Sequence, residues 1–216
     1  MILLPNWFKM VEDIQLYASL GVSGIDWEGN SAVATADLHD MRAWVCAQLS
    51  WDAERDGRAL IEEFLVNVYS EGAAGYIMQH MKAYTDEVDR QNYYVTPADA
   101  ATAGYFTPAV IYTSLTALDK AIQNATAASE TMPRAKVVTQ IQGLRVCPWF
   151  LALSNWEALC AYTASHSLPW PLEASRHASL ASFTSNVTEY LGPATLQTEA
   201  AALAAMNSSK DLTCAG

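Results

Sequence analysis

Two acids stand two residues apart in the stretch "GVSGIDWEGN", residues 21–30: Asp26 and Glu28. In an extended chain, side chains two apart point to one face. The carboxylates then emerge together at the C-terminal end of a short strand, the end at which α/β barrels carry out chemistry. Glycosidases use two carboxylates roughly 5–9.5 Å apart, and neighbours along one strand fall near the low end of that range. Asp26 and Glu28, with Asn30 in the following turn, are therefore candidates for binding a sugar or sharing in acid–base work. The competing reading is a solvated strand end whose acids cap the next loop. That reading gains weight because catalytic pairs usually come from different strands, so no residue is assigned as catalytic.

Other chemistries find less support. Gly21, Gly24 and Gly29 flank and interrupt the expected strand, and no Gly-Lys-Ser/Thr follows, so a phosphate loop or dinucleotide fingerprint is excluded. His39, His80, His166 and His177 are scattered, with no helical zinc-protease spacing, and each reads as a surface or supporting residue. No Gly-x-Ser-x-Gly elbow occurs. Cys46, Cys147, Cys160 and Cys214 form no Cys-x-x-Cys pair; they allow two disulfides or isolated buried thiols. Neither a metal site nor a cofactor is expected. Asn124-Ala-Thr, Asn186-Val-Thr and Asn207-Ser-Ser are glycosylation triplets, although a chain rich in Ser and Thr produces such triplets by chance.

The elements that must position these residues are nearly all helical. Trp7, Met10, Val11, Ile14, Tyr17 and Ala18 predict a helix over 6–20, stopped by Gly21. "VSGIDW" reads as a buried strand, which needs partners. Asp37 and Asp40 resemble a capping arrangement before a helix carrying Met41, Val45 and Leu49. Helices follow over 58–70 and around Ile77–Val88, with a long connection over 91–106. Thr107-Pro108 caps the next helix. A long helix from Ala135 to about Tyr162 should kink at Pro148. Leu180–Leu191 and "TLQTEAAALAAM" supply the last helices. Trp27 and Trp51 are expected to pack beneath their neighbours.

The chain has 216 residues, is 51% hydrophobic and carries a net charge of −11. It can bury a core, and its acidity argues against nucleic acid or an anionic membrane as partner. No uninterrupted apolar run is long enough to span a bilayer. "MILLPNWFKMVEDI" is no signal peptide. The compartment is left open, with a lean to secretion if the true start lies upstream of Met1.

Residues 40–84, "DMRAWVCAQLSWDAERDGRALIEEFLVNVYSEGAAGYIMQHMKAY", resemble the C-terminal part of a glycoside-hydrolase-like family, domain of unknown function 4838. The matches are Leu49, Trp51, Asp52, Asp56, Leu60, Glu63, Phe64, Tyr69, Ala73, Ala74 and Tyr84. Ser50, Ala53 and Ser70-Glu71-Gly72 depart from the pattern, and Asp26 and Glu28 are not clean matches. The resemblance implies a barrel of roughly 250 residues ahead of this region, nearly all of it absent here. The expected fold is thus mainly α: an irregular helical bundle with one short N-terminal strand left from an α/β barrel. Residues 1–36 would be the barrel remnant, 37–206 the helical region and 207–216 a frayed tail. The resemblance also implies a C-terminal fragment, carbohydrate-related in its full-length parent and inactive alone, able to self-associate through its unpaired strand. The alternative is a non-catalytic helical interaction or scaffold domain.

Overall fold

The computed structural model describes residues 3–26, 38–96, 101–191 and 200–214. Among them nine helices form an irregular bundle around one continuous apolar core. In chain order they are α1 (Lys9–Ser19), α2 (His39–Trp51), α3 (Gly57–Tyr69), α4 (Glu71–Gln91), α5 (Pro108–Asn124), α6 (Arg134–Ser154), α7 (Trp156–Ser165), α8 (Arg176–Leu191) and α9 (Ala200–Ser208). From α1 to α6 each helix packs on the next, and the most extensive contact joins α4 to α5 across the long connection. α8 rests on α6, α7 on α5, and α9 on α8.

Local chemistry explains the helix ends. α1 stops at Gly21, whose φ of +76° lies in the left-handed region that glycine tolerates. Gly21 N donates to Ala18 O and Val22 N to Tyr17 O, both at 3.0 Å, which is a Schellman closure. Asp56 caps α3 by accepting from Arg58 N and Ala59 N at 2.9 and 3.1 Å. Thr107 Oγ1 accepts from Val110 N at 3.3 Å, with Pro108 at the first helical position. α2 has no side-chain cap; Leu38, at φ 54°, occupies that place, and Asp37 lies outside the described residues.

Three expectations need correction. The strand at "VSGIDW" is not formed over its described part, residues 22–26. The two β-bridges among the described residues pair Ser129 with Met132 and Ser175 with Thr213, far along the chain from it. An extended segment without a neighbour has nothing to satisfy its backbone groups as a ladder. The long helix expected from Ala135 to about Tyr162 runs on through Pro148 but is interrupted at Asn155 (φ −115°, ψ 29°), which divides it into α6 and α7. The tail expected to fray is fastened: Cys214 is disulfide-bonded to Cys160 with Cα atoms 5.4 Å apart, and Arg176 N donates to Leu212 O at 2.8 Å.

Side-chain clasps hold the layers together. The Arg42 guanidinium donates to Leu4 O and lies 5.3 Å from the Trp7 ring centroid, tying the N-terminal segment to α2. Gln15 Nε2 donates to Ala53 O and Arg55 O at 3.3 Å, holding α1 against the α2–α3 turn. Arg145 Nε donates to Asp119 Oδ1 at 2.7 Å across α6 and α5, and its guanidinium also covers Trp149.

Candidate functional site

The expected site lies where α1 delivers the chain to residues 22–26. Asp26 is exposed there, held out by the Schellman turn. Glu28 and Asn30, like Trp27, lie outside the described residues, so the proposed carboxylate pair has no geometry to report.

The aromatic residues of the resembling block divide into two sets. Phe64 stacks between Trp44 and Tyr69, with ring centroids 5.8 and 6.4 Å away. Tyr84 is fully buried, edge-on to His80 at 5.5 Å and to Phe106 at 6.0 Å. These are core residues. Trp51 was expected to pack beneath its neighbours, yet it is 93% exposed at the end of α2. Asp52, next to it, accepts from Glu54 N at 3.1 Å and so fixes the turn that Gln15 holds to α1. An indole presented to water on a rigid helix end offers a flat apolar face with a polar edge, the surface against which a sugar ring stacks.

Sequence reasoning missed one pair. His80 Nδ1 lies 2.7 Å from Ser114 Oγ, and both residues are fully buried between α4 and α5. The distance suits a base and a nucleophile. With no exposed surface on either residue, no substrate reaches them, and the pair acts as a polar clasp inside the core. Of the two positions read for His80, surface or supporting, the structure gives the buried, supporting one. The signal was present: His80 lies three residues after Ile77 and four before Tyr84, on the apolar stripe of α4.

Elsewhere the polar groups serve structure. Glu87 is held below the ordinary carboxylate range chiefly by its bonds from Arg90. Burial pushes the Cys46 thiol up, which keeps it protonated and inert. Cys46 and Cys147 are buried and stand outside the disulfide. Among the described residues no three His, Cys, Asp or Glu side chains gather as a metal site, and no helix is long and apolar enough to cross a membrane. Of the glycosylation triplets, Asn124 and Asn207 are exposed. Asn186 is half-buried and donates to Ser182 O at 2.8 Å. A cleft of about 460 Å³ lies between α8 and α9, walled by Leu180, Ala181, Leu203 and Ala204 with His177 and Asn207.

The fold and these residues define a mainly helical protein whose described part assembles no open catalytic cluster. Residues 1–82 match the model of the family described as Domain of unknown function (DUF4838). No curated protein and no solved structure matches the chain.

Proposed function

We propose that the chain is the helical region of a glycoside-hydrolase-like protein and contributes to a carbohydrate site without turning over glycosides alone. The observation that carries the reading is Trp51, held 93% exposed within the stretch that matches the family. Asp26, exposed after the α1 stop, with Glu28 and Asn30, would bind sugar hydroxyls; Trp51 would stack on a ring face. The absence of an open acid–base or nucleophile cluster among the described residues supports a binding rather than a catalytic role for this region.

The test has two parts. Aryl glycosides should show no turnover with the purified chain; hydrolysis that disappears in Glu28→Gln would overturn the non-catalytic reading. Neutral oligosaccharides should quench tryptophan fluorescence in the unaltered chain and not in Trp51→Ala. Equal quenching by both would remove the stacking role.

A second reading, a helical interaction module, is favoured by one feature. Leu16, Leu20 and Val22 are 51%, 70% and 47% exposed at the end of α1, beside Tyr17. Sedimentation velocity decides it: self-association abolished by Leu20→Lys supports the module, and a monomer at all concentrations argues against pairing through this end.

A further inference from the structure

The triplet Asn124-Ala-Thr sits where α5 ends. Asn124 is the last residue of the helix, and Ala125, at φ −58° and ψ 134°, turns the chain out of it. Ala125 is 3% exposed, whereas Asn124 and Thr126 on either side of it are exposed. The buried methyl pins the triplet from below and leaves its two polar side chains at the surface. Backbone bonds hold it there: Thr126 N donates to Ser70 Oγ at 3.1 Å, and Ala125 O accepts from Arg134 Nε at 2.8 Å. Neither bond uses the Thr126 hydroxyl. Asn124 Nδ2 donates to Lys120 O at 2.9 Å, one turn back on the exposed side of α5.

The other two triplets are placed differently. Asn186-Val-Thr lies inside α8, with Asn186 half-buried and Val187 fully buried. Thr188 Oγ1 donates back to Thr184 O at 2.9 Å. In Asn207-Ser-Ser the last hydroxyl is engaged: Ser209 Oγ donates to Met206 O at 2.7 Å and accepts from Arg176 Nη1 at 3.3 Å. An independent observation bears on the compartment. Cys160 and Cys214 are disulfide-bonded, and both are half-buried. Disulfides form and persist in oxidising, secretory compartments, and the Asn-x-Ser/Thr triplet is an acceptor in secreted chains.

We propose that Asn124 carries an N-linked glycan, added in the secretory lumen where the disulfide also forms. The donor is an oligosaccharide on a lipid pyrophosphate, and the catalyst is a membrane-bound transferase. Asn124 Nδ2 forms a bond to the anomeric carbon of the first sugar. That carbon's bond to the pyrophosphate oxygen breaks, the lipid pyrophosphate leaves with the electron pair, and Nδ2 gives up one proton to the transferase. The second Nδ2 hydrogen remains to donate to Lys120 O. Transfer to a nascent chain precedes folding, so the fold decides only whether the sugar, which is bulky and suited to a surface, is left in water. At Asn124 it is; at Asn186 it would crowd the half-buried side of α8. The proposal is independent of the sugar-binding reading of Asp26 and Trp51, and each can fail without the other.

The test reads the protein as its own cells make it. Trypsin releases residues 121–134, which hold Asn124 and no other triplet, whereas Asn186 and Asn207 share residues 177–210. Peptide-N-glycosidase in heavy-oxygen water should convert Asn124 to a labelled aspartate. Cys160 and Cys214 should resist alkylation until reductant is added. The whole chain is also exported from a secreting eukaryotic host behind a cleavable leader. There Thr126→Ser should keep the glycan on residues 121–134 and Thr126→Ala should lose it. After deglycosylation Thr126→Ala should melt close to the unaltered chain, because the bond to Ser70 runs through the backbone N–H; this separates loss of the acceptor from misfolding. An unlabelled 121–134 peptide from the native protein would overturn the proposal. So would label confined to 177–210, native Cys160 and Cys214 that alkylate without reductant, or a glycan on 121–134 that survives Thr126→Ala.

Discussion

At the residue scale, small positions carry opposite demands. Gly75 lies inside α4 with nothing within 4 Å of a Cβ placed on it. Gly75→Ala should raise stability by about 0.5–1 kcal/mol through helix propensity alone. Gly72, three residues earlier, faces the backbone carbonyl of Asn124, which a Cβ would strike. A backbone atom yields far less than a side-chain tip, so Gly72→Ala should lower the urea midpoint. Ser70, between α3 and α4, sits at φ +75° and is buried, and its Oγ accepts from Thr126 N at 3.1 Å. Ser70→Ala keeps the backbone strain and strands that N–H, at a cost of about 1–3 kcal/mol. Ser70→Gly relieves the strain and should fall between the two on the same urea curve.

At the element scale, the C-terminal segment is the one fastened by side chains and a covalent link rather than by helix packing alone. The Cys160–Cys214 disulfide closes a separation of 54 residues. Cys214→Ser should lose about 2–4 kcal/mol, and reductant should lower the unaltered chain to the same unfolding midpoint. Asp211 accepts from His177 N at 2.9 Å, and this backbone bond is the foremost reason its carboxyl is held below the ordinary value. A depressed folded value means its contribution is complete above the unfolded value, about 3.9, and is lost as pH falls through the folded one. Acidification should therefore loosen residues 209–214 in hydrogen exchange. Asp211→Asn should flatten that dependence.

At the scale of the whole molecule, the family match and the cooperative unit do not coincide. The match ends at residue 82, whereas α4 runs from Glu71 to Gln91 and makes the bundle's most extensive contact with α5. Ile77, His80 and Met81 are buried between them. A chain cut after Lys82 would expose that face and leave His80 without Ser114. It should show weak, non-cooperative unfolding by circular dichroism, where the whole chain gives a single sharp transition.

The sequence by itself determined what is local. The spacing of Met10, Val11 and Ile14, the Gly21 stop and the Thr107-Pro108 cap were legible because each depends on neighbours within a turn. The helical class follows from the same periodicities. Features that depend on distant partners were not legible. Whether residues 22–26 pair depends on another strand, and Trp51 is exposed because no element among the described residues covers the end of α2. Cys160 meets Cys214, and His80 meets Ser114, through packing of helices far apart in the chain. Pro148 lies inside α6, whose helix continues on both sides of it. It is buried within a run, Val146–Leu153, that lies entirely in the core; that packing outweighs one missing hydrogen bond.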